Sequence, residues 1–206
     1  MFRWSLIPDP SSPEAALDLS DRARLHRKLM GLFPDYKGAS RANGRERFGI
    51  LFRVAPGSIL GQSRIPPDAA RAPGGYRLSD LSDTPVLPPG ASAGAHFQFV
   101  LEANTSFREP GGGSRRGLRD ELDRRSWLVR RAETAGFGLV RVSVRPLGAV
   151  RGGRAVFEAV SFEGILRLAE PALLARAVEN GIGQGKAYGF GLLLMGTRLP
   201  ASLERA

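Results

Sequence analysis

The chain offers few side chains that can move protons at neutral pH. It contains two histidines, His26 and His96, and no cysteine. The lack of cysteine excludes disulfides, thiol nucleophiles and cysteine-ligated zinc or iron–sulfur sites, and two histidines argue against a histidine-rich metal centre. His96 falls on the polar face of a predicted strand, so we assign it no catalytic role. His26 is therefore the main candidate for acid–base chemistry.

The neighbours of His26 in sequence are mostly cations. Arg24, Arg27 and Lys28 lie within two residues of it. Nearby positive charges lower the pKa of a histidine, which leaves a neutral imidazole able to act as a general base at neutral pH. A position next to Leu25, at the margin of an apolar stripe, is also typical of a half-buried packing histidine. The residues alone leave both interpretations open.

A glycine-rich segment near the end of the chain is the most distinctive local pattern. Five of its eleven residues are glycine: Gly181, Gly183, Gly185, Gly189 and Gly191. Glycines let backbone amides approach a ligand closely and form a concave anion site, to which Lys186 would add a positive charge. The spacing differs from that of a Walker A loop. The segment also follows a helix and enters a strand, unlike a dinucleotide-binding fingerprint. A structural role, close packing of a loop over a sheet, is the alternative.

The charge balance points to an anionic partner. Thirty Lys and Arg against 20 Asp and Glu give a net charge of +10 and a pI near 11.2, and 27 of the basic residues are arginine. Guanidinium groups bind phosphates in a bidentate fork and stack on bases, which suits a nucleic acid. Codon bias would explain the preference for arginine over lysine, but not the excess of basic over acidic residues.

The densest cluster of arginines predicts a basic helix from about Ser114 to Ala135. The predicted buried stripe of this helix consists of Leu118, Leu122, Val129 and Ala132. The candidate RNA-binding residues of the segment are Arg115, Arg116, Arg119 and Arg130, the last three on the outer face with Trp127. A solvated charged face is the usual meaning of such a run, and a helix lying along a phosphate backbone is the alternative.

The order of the predicted elements indicates an α+β fold. The second half predicts the order β-α-β-β-α-β of a ferredoxin-like unit, and the first half predicts β-α-β-β before the pattern becomes irregular. We therefore predict two tandem ferredoxin-like domains, residues 1–89 with the candidate histidine and residues 90–206 with the basic helix and glycine loop. One α+β domain of similar size is the alternative.

The predicted first helix positions His26. Ser20 or Asp21 can cap it, and it carries a core stripe of Leu25, Leu29 and Leu32. A proline ends the helix after Phe33. We predict a polar loop between residues 35 and 45.

Five short motifs, in the same order along the chain, resemble the CRISPR-associated endoribonuclease CasE (Cse3) family of the type I-E Cascade complex. The motifs are Leu25–Pro34, Phe97–Asn104, Ser126–Leu128, Ser161–Gly164 and the glycine–apolar–glycine pattern of Gly181–Gly191. The last of these resembles the signature loop of the repeat-associated RNA-binding superfamily. The resemblance covers essentially the whole chain.

This resemblance implies a specific reaction. Members of the family bind the stem-loop of the CRISPR repeat RNA and cleave pre-crRNA once at the 3′ base of the stem, without a metal ion. The ribose 2′-oxygen attacks the adjacent phosphate and leaves a 2′,3′-cyclic phosphate and a 5′-hydroxyl. The resemblance assigns the catalytic histidine to His26, as base or acid. We place Arg24, Arg27, Lys186 and the five loop glycines among the RNA-binding residues.

The sequence departs from the family pattern at Ala23. Relatives often carry a tyrosine at this position, three residues before the histidine. Lys28, Tyr36 and Lys37 are the nearby candidates for its catalytic contribution.

The same resemblance implies partners and a location. We expect the repeat RNA stem-loop and other Cascade subunits as partners, no metal or other cofactor, no membrane segment, a cytoplasmic location and a monomer when isolated. A catalytically weak or inactive RNA-binding subunit of the same superfamily is the main alternative. A metabolic ferredoxin-like enzyme that binds an anionic small molecule is a more distant one, because it would leave the basic helix without a purpose.

Overall fold

The computed structural model of the protein describes residues 1–35, 42–108 and 115–199. The helices are α1 (Pro13–Ser20), α2 (Arg22–Met30), α3 (Ala42–Arg47), α4 (Glu121–Thr134) and α5 (Pro171–Asn180). The strands are β1 (Phe2–Pro8), β2 (Leu51–Ala55), β3 (Ser58–Ser63), β4 (Tyr76–Asp83), β5 (His96–Asn104), β6 (Ser106–Arg108), β7 (Arg115–Gly117), β8 (Phe137–Gly152), β9 (Ala155–Leu168) and β10 (Leu193–Arg198). Short 3₁₀ helices span Ala69–Arg71 and Lys186–Tyr188.

Eight of these strands form two four-stranded antiparallel sheets, one in each half of the chain. The strand order is β2-β3-β1-β4 in the first sheet and β10-β5-β9-β8 in the second. In both, the first strand of the half lies between its third and fourth strands, which is the ferredoxin-like order. The structure thus confirms the predicted α+β class with two ferredoxin-like units. The first unit carries the 3₁₀ helix Ala69–Arg71 in place of a long second helix.

Helix α2 and the first sheet enclose the core of the first unit. Leu25 and Leu29 of α2, and Leu32 just after it, are fully buried. They pack in one cluster with Phe52 and Ile59 of the sheet. The predicted core stripe of this helix is therefore confirmed, and it fixes which side of α2 is left for other contacts.

Helices α4 and α5 cover one face of the second sheet. Phe97, Phe99 and Leu101 alternate along β5 and are buried in the second core, as predicted. Trp127 of α4 lies parallel to the ring of Phe162 in β9, with ring centroids 6.0 Å apart. These residues belong to three of the five family-like motifs, which therefore meet in this core.

Helix α4 begins later than predicted. Asp120 caps it, because its carboxylate accepts hydrogen bonds from the amides of Leu122 (2.8 Å) and Asp123 (3.3 Å). The residues before the cap, Arg115–Gly117, form β7 and pair with β6. The predicted helix start at Ser114 is therefore wrong, since two of its arginines belong to a strand.

The buried face of α4 also differs from the prediction. It consists of Arg124, Trp127, Leu128 and Ala132, whereas Leu122 is 74% exposed and Val129 is 44% exposed. Arg124 tolerates burial because its Nε donates to the carbonyl of Leu118 at 2.9 Å, and the long apolar stems of such side chains pack like hydrocarbons. Trp127 thus lies inside, not among the outer arginines.

The first unit contains more regular structure than the sequence predicted. Helix α1 forms ahead of the predicted first helix, α3 occupies part of the predicted loop, and β4 closes the sheet where no pattern was clear. Proline at the first position of α1 and the Ser12 side chain, which accepts from the amide of Ala15 at 3.2 Å, explain the extra helix. Within the described residues, no helix is long and apolar enough to cross a membrane.

Buried polar contacts join the two units. The amide Nε2 of Gln62, in β3, donates to the carbonyl of Val178 in α5 at 2.6 Å. Arg53 of β2 pairs with Glu102 of β5 at 2.8 Å, and both side chains are at least 85% buried. Removing one partner of such a pair would leave an uncompensated buried charge, so these contacts fix how the units face each other.

Candidate functional site

Helix α2 is held at its start by Asp21. The Asp21 carboxylate accepts from the amide of Ala23 at 2.8 Å and from the amide of Gly153, at the tip of the β8–β9 hairpin, at 2.9 Å. These bonds lower the pKa of Asp21, the bond from Gly153 being the largest cause. One carboxylate therefore caps the helix and ties it to the second unit.

His26 lies one position beyond the buried Leu25 and is itself half-buried. Its Nε2 atom is shielded from solvent and has no hydrogen-bond partner among the described residues. Burial lowers the pKa of His26, and the charges of Arg45 and Arg27 lower it further. The direction predicted from the sequence is confirmed, but burial is the larger cause. The imidazole is thus a neutral group at pH 7.

Two of the cations beside His26 in sequence are neutralised by helix α1. The guanidinium of Arg24 pairs with the buried carboxylate of Asp18 at 3.3 Å, and the ammonium of Lys28 pairs with Glu14. Residues two apart on a helix point about 200° apart, so the structure does not bring Lys28 to His26. A catalytic role for Lys28 stays a prediction.

Arg45 and Lys186 bring two further cations towards His26. Arg45, in α3, donates to the carbonyl of Ile50 at 3.3 Å and pairs with Glu46 at 3.2 Å. Lys186 starts the 3₁₀ helix that contacts α2, and it lines one pocket together with Arg45. Burial lowers the pKa of Lys186, and the charge of Arg45 lowers it further. We call this pocket, which lies beside the helix that carries His26, the His26 groove.

The glycines of residues 181–191 are required by the backbone and by close packing. All five have φ between +76° and +87°, a region that side chains rarely adopt. A Cβ on Gly191 would lie 2.6 Å from the carbonyl oxygen of Ile182, and one on Gly183 would lie 2.9 Å from the Trp127 ring. Close packing of the loop, the structural role considered above, therefore explains why these positions are glycine. Lys186 lies within this closely packed segment.

Arg22 lies at the first turn of α2, one turn before His26. Its Nη1 is buried without a partner among the described residues, 2.9 Å from where a Cβ on Gly189 would lie. Burial lowers the pKa of Arg22, and the charge of Glu102 opposes this. The glycine loop thus closes directly over the start of the His26 helix.

The predicted RNA-binding arginines of the basic segment do not share one helix face. Arg116 belongs to β7, Arg119 lies in the loop before α4, and Arg130 lies on α4; all three are exposed. The correction follows from the later helix start, and their roles stay predictions. Tyr36 and Lys37 lie outside the described residues.

The described residues contain no cluster of three or more His, Asp or Glu side chains that could hold a metal ion. The His26 groove includes two carboxylates, Glu46, which pairs with Arg45, and Glu179. Its cations Arg45 and Lys186 lie beside the helix of the neutral His26 imidazole, an arrangement suited to an anion and to proton transfer.

Sequence reasoning missed three cations that the fold brings to the glycine loop. Arg45 falls at the end of the predicted polar loop and is not among the predicted site residues. Its position shortly before a buried strand is a local signal that could have drawn attention to it. Arg131 and Arg176 line a pocket with Lys186. These residues are far apart in sequence, so no motif spacing connects them. Only their positive charge could have marked them as candidate site residues.

Comparison with known proteins gives consistent matches over nearly the whole chain. A family model described as "CRISPR associated protein" matches residues 1–196. The CRISPR-associated endoribonuclease Cse3 of Thermus thermophilus is 30% identical over 217 aligned positions, which cover 94% of this chain and 98% of the relative.

Solved structures agree with this match. The structure of Thermus thermophilus Cse3 bound to an RNA representing a pre-cleavage complex is 28% identical and superimposes with a TM-score of 0.80, covering 95% of this chain and 98% of the other. A chain of a CRISPR RNA-guided surveillance complex in a pre-nicking state is 26% identical, with a TM-score of 0.73 and coverage of 95% and 99%. The chain therefore belongs to the CRISPR-associated CasE/Cse3 family.

Proposed function

We propose that this protein is a CRISPR RNA-processing endoribonuclease. It binds the stem-loop of the repeat RNA and cleaves the precursor once, at the 3′ base of the stem, without a metal ion. The 2′-oxygen attacks the adjacent phosphate, so that a P–O2′ bond forms and the P–O5′ bond breaks. The products are a 2′,3′-cyclic phosphate and a 5′-hydroxyl. The relatives that are endoribonucleases and bind RNA support this reaction class.

The observation that carries the proposal is the unpartnered Nε2 of His26 near the positive charges of Arg45 and Arg27. A buried polar atom without a partner costs free energy, so a ligand that supplies a hydrogen bond there is favoured. Because the pKa of His26 is lowered, a neutral imidazole is available at pH 7. It can take the proton of the 2′-hydroxyl, or after protonation give one to the leaving 5′-oxygen. Either role requires bound RNA to reach this atom, which is shielded from solvent in the free protein.

Arg45 and Lys186 would bind the scissile phosphate. Both cations are partly desolvated, and this lowers their pKa. Charge developing on the phosphate oxygens in the transition state would be stabilised more strongly there than in open water. Lys28, Tyr36 and Lys37 remain proposed auxiliary groups, and Ala23 leaves the tyrosine position of the family without a proton donor.

We further propose that the protein stays on its product as a subunit of a Cascade complex. The stem remains intact after one cut at its base, so the contacts that bind it persist. The similarity to a chain of a CRISPR RNA-guided surveillance complex supports this assignment.

A cleavage assay with a labelled repeat RNA in EDTA tests the reaction. We expect one cut, a 2′,3′-cyclic phosphate on the upstream fragment, and no cut when the nucleotide before the scissile bond carries a 2′-deoxyribose. Strict dependence on magnesium would overturn the metal-free mechanism. Binding without any cut would favour the inactive RNA-binding subunit, and neither binding nor cutting would favour an enzyme of small anionic molecules.

The two histidines provide a matched pair for the residue assignment. We expect His26→Ala to lower the single-turnover rate by about 10²- to 10⁴-fold with repeat RNA binding within a few-fold of wild type. His96→Ala should leave the rate unchanged, because His96 lies in β5 of the second sheet. Equal rates for His26→Ala and the wild type would exclude His26 as a catalytic residue.

A further inference from the structure

Lys186 lines two pockets, and the second one has no role in the mechanism above. The first pocket contains Arg45 and belongs to the His26 groove. The second lies between the end of α4, helix α5 and the glycine loop, and has a volume of about 390 Å³. We call it the α4–α5 pocket; its lining includes Arg131, Leu173, Arg176, Ala177, Ile182 and Lys186.

The charges of the two pockets differ. The first mixes cations with the carboxylates of Glu46 and Glu179, whereas the lining of the α4–α5 pocket contains cations but no carboxylate. In the described part of the chain, neither Arg131 nor Arg176 makes an ion pair. Like charges held close together without counter-charge repel one another, and a bound anion relieves that repulsion. The pocket is thus built for an anionic group.

The shape of the pocket favours one nucleotide over a helical stem. A volume of about 390 Å³ falls within the range of roughly 300–1,000 Å³ of small-ligand pockets. An A-form duplex is recognised instead across its wide minor groove and its phosphates, so it would need a longer open surface.

The pocket also offers surfaces for a base. The guanidinium of Arg131 lies over the Trp127 ring, 5.6 Å from its centroid, and this cation–π contact orients it. Guanidinium planes stack on unpaired bases. Leu173, Ala177 and Ile182 supply an apolar wall. One cavity therefore contains cations for a phosphate, a guanidinium plane for a base and apolar side chains for the edge of that base.

We propose that the α4–α5 pocket binds one unpaired nucleotide that flanks the base of the RNA stem. Its phosphate contacts Arg176 and Lys186, and its base lies against Arg131. Because Lys186 lines both pockets, this cavity lies next to the proposed site of the scissile phosphate. The inference rests on the proposed RNA-processing function and adds a single-strand subsite to it. The nucleotide can come from the 5′ or the 3′ side of the stem.

Binding measurements with four RNAs test the subsite: the bare stem-loop, the stem-loop with a 5′ flank, with a 3′ flank, and with both. The RNAs with a 3′ flank carry a 2′-deoxyribose before the scissile bond, so that unmodified protein binds them uncut. We expect one flank to tighten binding by about tenfold, the scale of one base stacked on a protein. The flank that does so identifies the source of the nucleotide.

Variants locate the effect. We expect Arg176→Ala to remove most of the gain from that flank and to reduce its salt slope by about one, with the affinity for the bare stem unchanged. Arg176→Lys should restore part of the gain. Arg77→Ala removes another exposed arginine, from edge strand β4 of the other sheet, and should leave binding of all four RNAs unchanged. An abasic nucleotide at the flanking position should mimic Arg131→Ala.

The outcomes separate the subsite from the proposed function. Equal weakening of bare and flanked RNA by Arg176→Ala would show a stem contact and overturn the subsite. No weakening of either would overturn it too. A wild-type protein that leaves repeat RNA uncut but still shows the flank-dependent gain would refute the processing reaction alone.

Discussion

Helices α2 and α4 are both rich in arginine, yet they use it differently. On α2, Arg24 and Lys28 are paired with carboxylates of α1, and the unpartnered atoms are on His26 and Arg22. On α4, Arg125 pairs with Glu121, while Arg130 and Arg131 face solvent. The first helix has its outer cations neutralised and keeps a neutral imidazole at the interface between the units. The second presents the guanidinium groups of Arg130 and Arg131, which make no ion pair in the described part of the chain. A high arginine content alone therefore does not show that a helix binds an anionic ligand. Carboxylates in neighbouring elements decide whether its positive charge is available.

The largest expected effect tests the assignment of the buried face of α4. Trp127→Ala should destabilise the protein by about 3–5 kcal/mol, because it removes a buried aromatic side chain. Leu122→Ala, five residues earlier on the same helix, should change the free energy of unfolding by less than about 0.5 kcal/mol. Urea unfolding of both variants measures this. Comparable losses at the two positions would return α4 to the orientation predicted from its sequence.

The failure on α4 and the success on α2 have a common physical cause. The apolar stripe of α2 consists of leucines, so its period reveals the buried face. The buried face of α4 includes Arg124 and Trp127. These side chains combine apolar parts with polar groups, so a pattern of apolar residues does not reveal that they are buried. The element order of the second ferredoxin-like unit and the glycine loop were predictable from period and composition. The position of Arg45 beside His26 was not, because Arg45 lies in α3, where the sequence predicted a loop.

The N-caps of the two helices provide a closer comparison. Asp21 caps α2 and also accepts from Gly153 of the second unit, whereas the Asp120 side chain accepts only from amides of its own helix in the described structure. Replacing either by Ala should cost about 1 kcal/mol of stability. Asp21→Ala should in addition slow RNA cleavage at saturating RNA, because the His26 helix loses its tie to the hairpin.

Denaturant unfolding and single-turnover cleavage of Asp21→Ala and Asp120→Ala measure the two effects. Asp21→Asn, which keeps an oxygen acceptor, should recover part of the rate. If both Ala variants slowed cleavage equally, the tie to Gly153 would have no part in positioning His26, and the caps would act through stability alone.

The smallest expected effect concerns the charge that α3 contributes to α2. Burial is the first cause of the lowered pKa of His26, and Arg45 is the second. Arg45→Gln removes that positive charge, so the pKa of His26 should rise, while burial still keeps it below its ordinary value. If His26 is the base, the rate is lost as the pH falls through this pKa, and the acidic limb of the profile should move to higher pH. If it is the acid, the alkaline limb should move the same way.

The rate at saturating RNA is best followed at low salt, since counterions screen the interaction, with Arg77→Gln as the control. A profile that stays in place or moves to lower pH would show that the charge of Arg45 does not lower the pKa of His26. Burial alone would then be the main cause of the lowered pKa.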